Sequence, residues 1–448
     1  MATHIEYTPS SSPAGVQQTI SFWMKRSELG TDQCIFEARQ NGTNLSSVKF
    51  NTNDELQIYS ENGGTTNVYL KTNRRFRDVN AWYHIVYAID TSQGTAADRI
   101  KMYVNGVQET SFSSSTYPSS SYDNFWFGIA QKQVIGRDNQ GGGSEDFQGL
   151  LTHFHYSRGY VYQASTFGST DSTTGEWKIT TSPSGVNYGA TGWFILKDGN
   201  SVTDQSGNGN NFTVGSGTLT KTEDCSSNVF CTMNPLNSVY ISFLQGNNTI
   251  SGGNNGSDYS YIGSTLAANS GKFYWEVKAA DLAEIDQVGV ALASSSFSQI
   301  GLGGGLQNNF GGKSVQFSNG NKAGDSSQSA HMGGFSTDDI LMVALDLDNN
   351  KITFGRNGQW SNGSGGADQT YANSTAAFTN LTAGEYYMPC HAMRGYGGNT
   401  GISRYNFGNG YFATVAVSSA GTNASGNGIF EYDVPTGFTA LSTKGLNL

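Results

Sequence analysis

Glu284 and Asp286 stand two residues apart in Glu284-Ile-Asp286-Gln-Val288, the spacing that puts two carboxylates on one face of a strand. Hydrolysis of a glycoside with retention uses such a pair about 5 Å apart, one as nucleophile and one as acid/base. The positions that would carry a closing glutamate are Val288 and Gly289, so the pair is not expected to run a two-step cleavage. His153 and His155 have the same spacing, as a two-histidine metal site would need. No third ligand is evident, and a pair on a strand surface is the expected reading. The sequence holds no Gly-x-Ser-x-Gly elbow, Walker loop or His-Glu-x-x-His motif. The glycine clusters at 301–305 and 363–366 precede no helical pattern with a lysine and are read as loops, not phosphate cradles. The chain is expected to bind without catalysing.

Binding through aromatic side chains is the better-populated chemistry. In Gly271-Lys-Phe-Tyr-Trp-Glu-Val277 the apolar residues alternate with polar ones, which assigns Trp275 to a core worth about 2–3 kcal/mol of burial. Trp23 lies opposite Phe22 in Thr19-Ile-Ser-Phe-Trp-Met-Lys25, and so is assigned to an outer face. Trp23, Tyr117, Tyr122 and Trp126 are the candidate platforms for stacking on sugar rings. The competing use of such side chains is a contact between subunits or between sheets.

The elements that must carry these residues are strands. Of 448 residues 58 are Gly, aromatics make up 12 % and charged residues 13 %, about half the charged share usual in globular proteins. Long amphipathic helices need more Lys, Glu, Arg and Leu than this; short strands joined by Gly, Asn, Ser and Thr turns do not. Strands are expected at 34–38, 47–50, 56–60, 82–90 and 99–104, with a type I′ turn at Asn105-Gly106. Asp348-Asn-Asn350 and Arg356-Asn-Gly358 should turn the chain on either side of a strand at Lys351 to Phe354. Loops at 39–46, 113–123, 138–146, 300–312 and 361–374 are the expected recognition surface. The net charge is −10, and without a concentrated Lys/Arg patch nucleic-acid binding is not expected. No apolar run is long enough to cross a membrane, and the N-terminus lacks the basic and apolar regions of a secretory signal. Cys34, Cys225, Cys231 and Cys390 are scattered and are read as free thiols.

The succession Ser21-Phe-Trp23, Trp82-Tyr-His-Ile-Val-Tyr-Ala88, Ile100-Lys-Met-Tyr-Val-Asn-Gly106, Val134-Ile-Gly-Arg137 and Phe147 to Arg158 is similar to the laminin-G-like, or concanavalin A-like, jelly roll. That resemblance implies binding of glycans or proteins at a rim of loops, often beside calcium, for which Asp90, Asp98, Asp138 and Asp146 are candidate ligands. Further on, Val288-Gly-Val-Ala-Leu292 and Asp339 to Gly358 follow the Trp275 strand in an order that resembles the SPRY domain, and Tyr405-Asn-Phe-Gly-Asn-Gly-Tyr-Phe412 resembles its last strand. Between them, Asp204-Gln-Ser-Gly-Asn-Gly-Asn-Asn-Phe212 and Asn228-Val-Phe-Cys-Thr-Met-Asn-Pro-Leu236 resemble a connector of tailed-phage virion proteins, as Val434-Pro-Thr-Gly-Phe-Thr-Ala-Leu441 resembles their C-terminal ending.

The expected architecture is all-β: a laminin-G-like jelly roll over 1–170, a loop-rich connector over 171–236 and a SPRY-like sandwich over 237–448. The resemblance implies a virion protein, assembled in the host cytoplasm and exposed on the particle. Its expected role is that of a tail fibre or adhesin that recognises host-surface glycan or protein, as a homo-oligomer, commonly a trimer, among other virion proteins. The alternatives are a capsid decoration or head-fibre protein with a structural role and, behind it, a polysaccharide depolymerase.

Overall fold

The computed structural model describes residues 3–139, 145–197, 201–253, 258–298, 304–395 and 400–447. Among these there is no α-helix, only strands, turns and five short 3-10 turns. The chain forms tandem sandwiches of mainly antiparallel sheets, as expected. Its two compact units are Met1–Lys221 and Thr222–Leu448, so the divisions expected at 170 and 236 are replaced by one at 221/222. The physical reason is strand pairing. Trp193–Ile195 adds to Gly149–Arg158, and Thr213–Ser216 adds to His4–Tyr7, which ties most of the expected connector into the first unit. Met233–Val239 pairs with Ser260–Ser264 and belongs to the second.

In the first unit an eight-stranded sheet runs in the order Phe112–Thr116, Thr65–Arg75, Glu55–Asn62, Asn44–Phe50, Gln33–Asn41, Gln133–Ile135, His4–Tyr7, Thr213–Ser216. It faces a six-stranded sheet ordered Trp193–Ile195, Gly149–Arg158, Gln17–Arg26, Trp82–Asp90, Ile100–Val104, Val107–Glu109. Alternation decides what lies between them: Ile20, Phe22, Met24, Ile85, Tyr87, Val48, Ile58 and Leu70 share one buried cluster. Asn105 and Gly106 both have positive φ (48° and 79°), as the hairpin turn requires.

The six-stranded sheet is also covered on its other side. A hairpin of Gly168–Thr170 and Trp177–Ile179 lays Trp177 over His84, with the rings 6.0 Å apart and nearly parallel. Trp23 stacks on the same imidazole at 4.8 Å. Gly106 and Gly168 permit this, since a Cβ on either would stand 2.4 or 2.6 Å from the Trp177 ring.

In the second unit a sheet of Met233–Val239, Ser260–Ser264, Tyr387–Arg394, Ile285–Leu292, Lys313–Gln316, Lys322–Gly324 and Ser327–Ser329 faces a sheet of Ile241–Leu244, Thr249–Gly252, Gly401–Asn406, Lys272–Asp281, Ile340–Asp346, Lys351–Arg356, Gln359–Ser361 and Ala367–Gln369. Trp275, Val277, Val343, Phe354 and Val288 fill the space between, Trp275 being fully buried as its alternation requires. The C-terminal segment then covers the outer face of the larger sheet. Thr439–Ala440 pairs in parallel with Phe273 and Tyr274, while Phe430, Val434 and Phe438 bury Tyr274, Met342 and Trp360. Glu276 fastens this segment. Its carboxylate accepts hydrogen bonds from the backbone N–H groups of Glu431 (2.9 Å) and Tyr432 (2.8 Å), from the Tyr274 hydroxyl (2.9 Å) and from Asn406 Nδ2 (3.3 Å). Burial outweighs these four donors and pushes the carboxyl up to about 7. All four cysteines are free thiols.

Candidate functional site

The aromatic residues singled out in the sequence divide between two places. Trp23 is 2 % exposed. It does lie on the face opposite Phe22, but the Trp177 hairpin covers that face, so its assignment to an open surface is corrected. The other three gather at one rim of the first unit. Tyr122 is buried; its hydroxyl lies 3.2 Å from both Asn67 Oδ1 and the Asn124 carbonyl, which share its one hydrogen. Tyr117 and Trp126 are half-buried against the core, and the Trp126 indole donates to the Glu61 carbonyl at 3.1 Å. Burial pushes the Tyr117 and Tyr122 hydroxyls up from their ordinary value.

Tyr122 and Trp126 bond to the hairpin of Glu55–Asn62 and Thr65–Arg75, and Tyr117 follows Thr116, which pairs with Tyr69; the outer face of this hairpin carries two tyrosines not anticipated from the sequence. Tyr59 and Tyr69 are directly paired across the two strands. Their rings meet edge to face at 5.8 Å, and both are half-buried. The Tyr59 hydroxyl donates to Glu61 Oε2 at 2.6 Å and lies 3.1 Å from Thr66 Oγ1. Burial, and then this carboxylate, raise its pKa. The Lys71 ammonium sits 6.0 Å from the centre of the Tyr69 ring. A legible signal existed: centring a hairpin on Gly63-Gly64 brings Tyr59 near Tyr69.

The loops differ from expectation in form. Residues 39–46 are a tight corner between Gln33–Asn41 and Asn44–Phe50, because Gly42-Thr43 is enough to reverse the chain. Within the serine-rich stretch, Phe112–Thr116 is an edge strand. Residues 117–125 are moored by Thr91, whose hydroxyl donates to the Tyr122 carbonyl at 2.8 Å. Within 361–374 lie the short strand Ala367–Gln369 and a 3-10 turn. Parts of 138–146 and 300–312 fall outside the described residues.

Each carboxylate proposed for calcium has a partner within the protein. Asp90 accepts from Ser92, Gln93 and Gln17; burial raises its pKa, but these bonds outweigh it and hold the carboxyl below its ordinary value. Asp98 pairs with Lys101. Asp138 accepts the Glu145 N–H, and Asp146 lies 3.6 Å from Arg137. Among the described residues no three of His, Cys, Asp and Glu gather as metal ligands.

The remaining chemical candidates are accounted for by packing. Glu284 is exposed ahead of its strand, whereas Asp286 is fully buried and bound to His391 Nε2, so the two carboxylates do not face one substrate. His391 Nδ1 is in turn 2.7 Å from the Tyr405 hydroxyl. A bulge between Thr152 and His155, with His153 at φ 47°, breaks the i, i+2 relation of the two histidines. His155 is buried, stacked at 3.8 Å on Phe194. Burial, and then His153, depress the His84 imidazole to about 3. The densest basic run, Lys71 to Arg77, is countered by carboxylates: Lys71 by Glu55, Arg74 by Glu109 and Arg77 by Asp54.

Residues 2–164 match the family described as the concanavalin A-like lectin/glucanases superfamily. Solved structures similar to the chain include the SPRY domain of human HERC1, with 18 % identity, 39 % of this chain and 96 % of that one covered, and a TM-score of 0.31. A heptameric SAP-like pentraxin from Limulus polyphemus matches at 17 % identity over 36 % of this chain and 72 % of its own, with a TM-score of 0.28. The PSpry domain of TRIM65 matches at 14 % identity over 39 % and 88 %, with a TM-score of 0.29. No curated protein sequence matches the chain.

Proposed function

We propose that the chain is a recognition subunit of a tailed-phage virion, which holds a host-surface glycan at the Tyr59/Tyr69 rim of its first unit without cleaving it. The observation that carries this reading is the rim itself. Two half-buried tyrosines on adjacent strands form an edge-to-face aromatic pair on the outer face, while Glu61, Thr66 and Lys71 beside them offer hydrogen-bond acceptors, a hydroxyl and a cation. Sugars present the same mixture, C–H faces flanked by hydroxyls, and pair with sites that join aromatic planes to a few fixed polar groups. Rigid strands hold these groups, so little entropy is lost on binding. The virion assignment rests on the resemblance of the stretches around Asp204 to Leu236 and Val434 to Leu441 to phage connectors and endings.

Retention of purified chain on susceptible cells, and on their isolated surface polysaccharide, tests the reading. Tyr59→Ala and Tyr69→Ala are expected to lower retention at least tenfold with an unchanged circular-dichroism spectrum, while the polysaccharide keeps its size distribution. Undiminished retention by both variants would refute the site; a shortened polysaccharide would refute binding without cleavage.

A further inference from the structure

Among the described residues eight strands end the four large sheets, and an unpaired strand edge is a template for another strand unless something blocks it. Seven of the eight are blocked. Register shifts interrupt Phe112–Thr116, Thr213–Ser216, Met233–Val239 and Ala367–Gln369 or their pairing, and Met233–Val239 also contains Pro235. Trp193–Ile195 is buried. Val107–Glu109 and Ser327–Ser329 have three residues each, the first ending in Glu109 and the second following Asp325. The eighth, Ile241–Leu244, makes four successive regular pairs with Thr249–Gly252. It lies inside a stretch, Cys225 to Ser257, that has no Lys, Arg, Asp or Glu. Its Ile241 and Phe243 pack on the core, while Leu244 is 57 % exposed and the adjoining Tyr240 is 42 % exposed.

We propose that Ile241–Leu244 is a self-association edge, on which a second copy of this chain adds its own Ile241–Leu244 strand antiparallel across a two-fold axis. Charge argues for a second copy. Two chains of net charge −10 repel one another over most of their surfaces, and an edge without charge is where they approach without that cost. A two-fold contact is self-complementary, so one strand supplies both halves of it. Antiparallel pairing keeps side chains of equal parity on one face. With Ser242 on the axis, Ile241 therefore faces the second copy's Phe243, and the exposed Leu244 reaches the start of the second copy's strand, where Tyr240 turns the chain at φ 56°. The pair would present two glycan rims, and weak contacts at each would be reinforced by their linkage.

Sedimentation equilibrium of the full chain from about 1 to 100 μM, a range bracketing the affinities common for such contacts, is expected to show a dimer mass. The double variant Ser242→Lys/Leu244→Lys should sediment as a monomer with unchanged melting temperature, and Val107→Lys, at an exposed apolar residue of the first unit, should remain dimeric. Because two added lysines can unfold a strand outright, Ser242→Cys provides a second readout: mild oxidation should link two chains through the introduced thiol. A monomer or a trimer mass for the native chain, a folded double-lysine variant that stays dimeric, or the absence of a cross-link in the oxidised Ser242→Cys variant would overturn the proposal. So would a strand from a different virion protein that takes this edge in place of the second copy.

Discussion

Replacing Glu276 by Gln tests whether the C-terminal segment is fastened by a group that titrates near neutrality. Burial raises this carboxyl from 4.5 to about 7, so the folded chain keeps a proton that the unfolded chain has released. The sign follows from linkage: stability is fully present below pH 4.5, falls as pH rises toward 7, and levels off above it. The size is about 3 kcal/mol, from about 1.4 kcal/mol for each pH unit between the two values. Gln removes the charge but cannot accept on both sides. Its amide N–H₂ must face the N–H of either Glu431 or Tyr432, which costs about 1–3 kcal/mol at every pH. The native chain should therefore be the more stable at pH 5, and Glu276→Gln should equal or exceed it at pH 8. Amide exchange of the Glu431 and Tyr432 N–H groups, corrected for intrinsic rates, reports the opening free energy of this segment alone. A native-minus-variant gap that stays flat from pH 5 to 8 would refute the reasoning.

Two further outcomes are expected. Acid should loosen the first unit, because His84 and His155 are held neutral by burial. Their stability contribution is present above pH 6.5 and lost as pH falls, by about 1.4 kcal/mol per pH unit for each, and His84→Phe should remove about half of that slope in tryptophan-detected urea unfolding; an unaltered slope would count against it. In the second unit, Asp286→Leu should cost about 3–5 kcal/mol by leaving His391 without its carboxylate. The double variant Asp286→Leu/His391→Phe should cost less than the sum of its parts, and strict additivity of the urea midpoints would refute the pairing.

Much of this architecture is legible in local pattern. Asn105-Gly106, Asn350 and Asn357-Gly358 adopt the positive φ their turns demand, and Trp275 is buried where alternation puts it. What alternation cannot say is whether a second face is wet. Trp23 sits on the face its spacing predicts, yet Trp177, 154 residues downstream, closes that face. Low complexity misleads in the same way: serines around 113–116 have poor strand preference, but the edge of Thr65–Arg75 supplies their partners. The paired histidines fail because a bulge shifts parity between them, and the candidate rim was only half visible because Tyr59 and Tyr69 become neighbours through register, not through either strand alone. The outer-face cover provided by residues 429–440 also depends on distant pairing.

The way the first unit closes sets how it would respond to pulling. His4 stands opposite Ser216 and Glu6 opposite Thr213, so the two ends of the unit leave from the same end of one antiparallel ladder. Tension applied along the chain would load those bonds one at a time, peeling the terminal strands apart like a zipper rather than shearing the ladder at once. A load carried through this unit would make it yield at low force and lengthen before it let go.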